Sequence, residues 1–228
     1  MDQIPIDYVT NGVHVPTWLD PKMELLLNKY LEPDWLTRHD DPKTWEAVDK
    51  IPDQELWQVH CGLKVKLIDH IREAVRQRWV EERADYIVPA GGTLLDLTAL
   101  TLGFARRFAT YKRADLIFFN LERLEKILNN PWRPVQFIFA GKAHPSDDPG
   151  KRILQRIFNF ARDQRFGGRI AFVEDYGEQL AQYLVHGVDA WLNNPLPPLE
   201  ACGTSGMKGF LKRRAAPEHP GRLVAGRV

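Results

Sequence analysis

Residues 135–173 read VQFIFAGKAHPSDDPGKRILQRIFNFARDQRFGGRIAFV: a run of six that is apolar apart from Gln136, a polar stretch with apolar residues at helical spacing, and an apolar run of four. Valine, isoleucine and phenylalanine without alternation mark strands covered on both faces, and a helix between two of them is the crossover that a parallel pair needs. The same alternation extends to both sides. Strands are predicted at 97–104, 135–140, 170–173 and 190–192, with helices at 113–129, 150–164 and 177–186 between them. The fold class is therefore α/β, a mostly parallel Rossmann-like sheet with helices on both faces. In such sheets ligands bind outside the carboxyl ends of the strands.

Toward the amino end, residues 1–19 read as an entering loop, and Asp20-Pro21 opens a helix to about residue 31. Pro33 and the run 38–42 break it. From 52 to 83 the apolar residues Leu63, Leu67, Ile68, Ile71, Val75 and Trp79 recur at helical spacing, as one long amphipathic helix or two. Trp35, Trp45, Trp57 and Trp79 read as core packing. The chain divides into a helical segment at 1–90, a sheet domain at 91–211, and a tail at 212–228.

With 228 residues, 44% hydrophobic and 27% charged, the chain has the make-up of a globular domain with a sizeable core. Cys61 and Cys202 are far apart and belong to no CxxC or Cys/His cluster, which points away from a disulfide framework or metal site and fits a reducing cytoplasm. No apolar run reaches the roughly 18 residues of a membrane span, and no leader is recognisable near Met1. The net charge of +1 conceals a tail in which Lys212, Arg213, Arg214, Arg222 and Arg227 face only Glu218; that tail is +4 and the rest is −3. Without a basic stripe interleaved with aromatics on the body, nucleic acid is not an expected partner.

Two segments carry chemistry. After the strand at 190 comes EACGTSGMK (200–208), whose small residues leave backbone N–H groups free to meet an anion. Lys208, expected in the first turn of a helix there, is an amine that partial desolvation would make able to condense with an aldehyde. After the strand at 97 comes GFARRFATYKRADLIF (103–118), with four cations within eight residues, which suits one or more phosphates. Composition alone leaves open an ordinary loop for the first and a solvated basic turn for the second.

These strings resemble the cofactor-lysine and phosphate-binding segments of the α-glucan phosphorylase family. TNGVHVPTW (10–18), FAGKAHPSDDPGK (139–151) and VEDYGEQLA (173–181) resemble further blocks of that family in the same order, over about residues 5–211. The HVP wording of the first is similar to the shorter bacterial and archaeal branch.

The resemblance implies a pyridoxal 5'-phosphate enzyme of the two-domain GT-B type. It would move a terminal α-1,4-linked glucosyl unit from glucan to inorganic phosphate, giving glucose 1-phosphate. By the same resemblance Lys208 would hold the cofactor as a Schiff base, with Thr204, Gly203, Arg106 and Lys112 around its phosphate. Arg107 would face the substrate phosphate, Lys112 being shared between the two. Glu200, Cys202, Gly203 and Asn11 would contact the sugar, while Tyr111 and Tyr176 would pack beside the cofactor. Arg106 and Cys202 stand where the animal enzymes have lysine and serine. The family also implies a soluble cytoplasmic enzyme, with the full-length parent a possible homo-oligomer.

After residue 211 the family pattern, a motif like LDGWW, is absent. Residues 211–228 can be encoded so that loss of one adenine restores LDGWW, so residues from about 212 onward are expected to be out of frame. Because a whole amino-terminal wall of the family's cleft has no counterpart, the isolated chain is expected to be inactive. Two other readings stand: an inactive glycan-binding remnant, and a nucleotide-sugar glycosyltransferase of the same fold, which would have no use for Lys208.

Overall fold

A computed structural model of the chain describes residue 9, residues 11–82 and residues 90–210; the tail at 212–228 lies outside them. Four strands, β1 (Leu100–Ala105), β2 (Val135–Ala140), β3 (Ile170–Val173) and β4 (Ala190–Trp191), form one sheet in the order β3-β2-β1-β4. Every pairing is parallel, with Leu100 opposite Val135, Phe137 opposite Ile170 and Leu102 opposite Ala190. The chain runs outward through β1, β2 and β3 and then returns to the other side of β1. This places a topological switch, the usual ligand crevice of such sheets, between β1 and β4.

Alternate residues of β2 supply the two faces. Phe137 and Phe139 point into a phenylalanine-rich core with Phe104, Phe118, Ile157 and Phe172, whereas Ile138 and Ala140 join Leu67, Ile71, Leu184 and Val188 on the other side. The first core is covered by α4 (Leu121–Leu128) and α5 (Asp148–Arg162), the second by α3 (Asp53–Glu82) and α6 (Glu178–Gly187). Asp147 caps α5 by accepting from the Gly150 N–H at 2.9 Å. A third core joins α1 (Val15–Trp18), α2 (Pro21–Tyr30) and the start of α3 around Met23, Leu27, Trp35 and Leu63.

Several boundaries differ from expectation for local reasons. Asp53–Glu82 forms one continuous helix, the first of the two alternatives for this stretch. Strand β1 starts at Leu100 because Asp96 accepts from both the N–H and the hydroxyl of Thr98 at 2.8 Å, closing a turn over the three preceding residues. The helix expected at 113–129 is reduced to α4: Arg113 takes a left-handed conformation (φ 52°), and Asn120 starts α4 afresh by accepting from the Arg123 N–H. Val15–Trp18 forms a helical turn inside the expected loop. Asp41 caps a 3-10 helix at Pro42–Lys50 that the apolar spacing does not reveal. Trp35 is fully buried, but Trp57 and Trp79 face solvent, 60% and 43% exposed. The core stripe of α3 passes through Leu67, Ile68, Ile71 and Val75, and those two indoles lie off it, so their assignment to core packing is wrong.

Candidate functional site

The site is built where the exits of β1 and β4 meet. Beyond Ala105 the chain stays tied to the exit of β2, through Arg106 N–H to the Ala140 carbonyl (3.2 Å) and Phe108 N–H to the Lys142 carbonyl (2.9 Å). Gly141 permits this approach. Its φ is +143°, and a Cβ there would stand 2.1 Å from the Arg106 carbonyl oxygen. Fully buried Phe108 anchors the segment in the aromatic core, so the side chains around it are set by the fold rather than by solvent.

The next turn, Thr110–Lys112, is fastened to the loop after β4. The Arg113 Nε donates to the Asn194 carbonyl at 2.8 Å, Asn194 Nδ2 donates back to the Arg113 carbonyl at 3.0 Å, and the Leu196 N–H donates to the Tyr111 carbonyl at 2.7 Å. This lacing brings Glu200 between two cations. One carboxylate oxygen accepts from the Arg106 guanidinium, and the other lies 2.6 Å from Lys112 Nζ. The second guanidinium arm of Arg106 donates to Asn193 Oδ1. All three charged side chains are nearly buried, with 5%, 12% and 10% exposure for Arg106, Lys112 and Glu200. Burial pushes the Glu200 carboxyl up, but the hydrogen bond from Lys112 and the charge of Arg106 outweigh it and hold the group below its ordinary range.

Helix α7 (Thr204–Phe210) follows directly and lies across the exit of β4. Two glycines allow it to lie there: a Cβ at Gly206 would be 2.9 Å from Asn193 Nδ2, and one at Gly209 would be 3.1 Å from Trp191 Cβ. Lys208 is the fifth residue of this helix and so sits in its second turn, not the first as expected. Its ammonium stands 3.5 Å from the centre of the Trp18 ring. Burial lowers its proton affinity and the Glu178 charge acts against that, with a net lowering that favours the nucleophilic free amine. Trp18 is itself held from α6, since His186 Nε2 hydrogen-bonds the Trp18 carbonyl at 3.0 Å and Gln182 that of Thr17 at 3.1 Å.

The remaining predicted residues fall around this centre. Tyr111 receives a 3.2 Å hydrogen bond from exposed Arg107. Burial raises the Tyr111 phenol, but Arg107 and Lys112 outweigh that and lower it. The Tyr176 hydroxyl donates to the Ala105 carbonyl at 3.3 Å, and burial pushes that phenol up. Asn11 reaches the loop before α7, donating to the Cys202 carbonyl at 2.9 Å. Arg106, Lys112, Glu200 and Gly203 thus form one cluster, with Arg107 and Tyr111 on its rim. Lys208 stands on Trp18 instead. Sequence reasoning assigns no role to Asn193 or Trp18; Trp18 closes the string at 10–18, and the signal for Asn193 is its position directly after a strand that borders the switch.

The site thus brings two nearly buried cations and one carboxylate to the switch point of an open parallel α/β sheet, with an amine on the adjoining helix. The chain belongs to the carbohydrate phosphorylase family, whose model matches residues 4–213. It is 61% identical over 208 residues to a glycogen phosphorylase of Aquifex aeolicus, covering 91% of this chain and 30% of the relative. It is 45% identical over 211 residues to a maltodextrin phosphorylase of Thermococcus litoralis (92% and 25%) and 43% identical to a glycogen phosphorylase of Mycobacterium bovis (92% and 24%). The chain therefore spans less than a third of the length of these relatives. Among the described residues, no helix is long and apolar enough to cross a membrane.

Proposed function

We propose that this chain is the cofactor- and phosphate-bearing part of an α-glucan phosphorylase of the two-domain GT-B type, which transfers a terminal α-1,4-linked glucosyl unit to inorganic phosphate and releases glucose 1-phosphate. The observation that carries the reading is the convergence of Arg106 and Lys112 on a single site at the β1–β4 crevice, beside the helix that bears Lys208.

The residues present fit pyridoxal 5'-phosphate. Two nearly buried cations share one carboxylate, and the Arg106 Nε is buried without a partner, so a phosphate would find both charge and a free donor. Lys208 offers the partly desolvated amine that an aldehyde requires. When bound, the cofactor supplies a phosphate group able to exchange a proton beside the substrate phosphate.

Arg106, Lys112, Gly203 and the Thr204 hydroxyl would hold the cofactor phosphate, and Tyr111 and Tyr176 would lie beside the bound cofactor. Arg107, on the rim, clamps the substrate phosphate with Lys112 shared, keeping its proton within reach of the departing glycosidic oxygen. Glu200, Cys202, Gly203 and Asn11 accept and donate hydrogen bonds to the sugar hydroxyls. The fixed cations stabilise the charge that develops as the glycosidic bond breaks. We place the complete enzyme in the cytoplasm; this chain spans less than a third of its relatives' length, so turnover by the chain alone should be low where catalysis needs both walls of the cleft.

The decisive experiment is incubation with pyridoxal 5'-phosphate, borohydride reduction and peptide mapping. A stable adduct on Lys208, lost in Lys208→Ala, is expected. A chain that takes up no label at Lys208 loses the proposed cofactor role of that lysine and is an inert remnant of the family. We further propose that residues 212–228 are read out of frame, a view supported by the family match ending at residue 213. The coding DNA should regain LDGWW on a one-base change near codon 212; a sequence that cannot do so removes the proposal.

A further inference from the structure

Glu200 is arranged like a ligand. Its two oxygens bridge Arg106 and Lys112, as two oxygens of a phosphate would, and its carboxylate lies against Gly203, where a Cβ would come within 2.5 Å of Oε1. Yet it completes the seat poorly. Two cations are balanced by one negative charge, and the Arg106 Nε remains buried without a partner while the other guanidinium nitrogens serve Asn193 and Glu200. A tetrahedral oxyanion of higher charge could meet both needs. Glu200 itself belongs to the loop between Leu199 and α7, where Asn11 donates to the Cys202 carbonyl, and 10% of its side chain is open to solvent.

From this we infer that Glu200 is an exchangeable internal anion: its carboxylate holds the seat between Arg106 and Lys112 until the cofactor's phosphate group, for which inorganic phosphate is a probe, takes that seat, and is then released to accept hydrogen bonds from a polyhydroxylated ligand. The inference rests on the proposed phosphate role of those two cations and adds a coupling to it. A carboxylate engaged by two cations is a poor acceptor for sugar hydroxyls, and a freed one is a good acceptor. Filling the seat therefore prepares the sugar pocket, and by linkage a sugar bound to Glu200 tightens phosphate binding.

The test is calorimetric titration of inorganic phosphate into the purified, cofactor-free chain in chloride buffer. Glu200→Gln is expected to bind phosphate at least about ten-fold more tightly than the parent, since no internal anion competes. Glu178→Gln removes an exposed carboxylate near Lys208 and controls for the general gain in positive potential. Equal tightening in both variants, or no tightening in Glu200→Gln, overturns the inference. Because Glu200→Gln leaves two buried cations unpaired and can fail to fold without anion, the parent is also read by carbon-13 NMR of its glutamate carboxyls, with Glu200 assigned through Glu200→Asp. Saturating phosphate is expected to shift the Glu200 resonance and raise its titration midpoint toward an ordinary glutamate; an unmoved resonance overturns the inference. A chain that accepts pyridoxal phosphate on Lys208 and shows neither change keeps its proposed function and loses this mechanism.

Discussion

Gly141 carries no charge and touches no expected ligand, yet the geometry of the cationic cluster depends on it. Its φ of +143° and the 2.1 Å separation that a Cβ would have from the Arg106 carbonyl leave no room for a side chain between the exits of β1 and β2. Gly141→Ala should destabilise the chain by about 3 kcal/mol and displace Arg106. Urea unfolding monitored by tryptophan fluorescence checks this, and a loss below about 0.5 kcal/mol, the range of neutral surface substitutions, would show that the two segments are not so tightly apposed. The sequence displays Gly141 inside a family-like string but not its neighbour, because the carbonyl it avoids belongs to a segment far earlier in the chain. Arg106 and Lys112 are marked for the opposite reason: cations crowded into eight residues repel one another whatever the fold, which suits an anion between them but equally allows a solvated basic turn. Asn193, which accepts from Arg106, makes its contact only through tertiary pairing and has no comparable mark.

At the level of elements, β4 has only two residues, so its position next to β1 needs support beyond its own ladder. Asp189, just before it, provides this support. Its carboxylate accepts from the Thr101 N–H at 2.7 Å and pairs with Lys64 and His60 of α3, each at 2.6 Å. Burial pushes the Asp189 carboxyl up, but the hydrogen bonds from His60 and Lys64 and the lysine charge prevail and lower it to about 2. A carboxyl depressed in the folded state stabilises fully above its unfolded pKa of about 3.9 and loses that contribution as pH falls through its folded value. Asp189 should thus contribute about 2 kcal/mol at neutral pH, lost between about pH 4 and 2. Asp189→Asn should unfold at lower urea near pH 6, and its stability should fall less steeply than the parent's over that acid interval. Parallel slopes would mean that another carboxylate governs the acid limb. The positions of β2, β3 and α6 follow from periodicity alone, since those elements are long or uniformly apolar. The stretch 113–120 does not, because one left-handed arginine and one capping asparagine divide a continuous apolar pattern.

Across the whole molecule, the helical part and the sheet are joined through α3. Leu63 belongs to the amino-terminal core and Leu67, one turn later, to the sheet core. A helix of thirty residues extends about 45 Å, far enough to serve both. Periodicity shows this helix but cannot show that its stripe is shared between two cores, since adjacent leucines look alike in sequence whatever they pack against. A rod common to both layers cannot melt in one and persist in the other without exposing a line of leucine and isoleucine side chains. Heating should therefore give a single calorimetric peak, with van't Hoff and calorimetric enthalpies in agreement, and two resolved peaks would show that the spine fractures between Leu63 and Leu67.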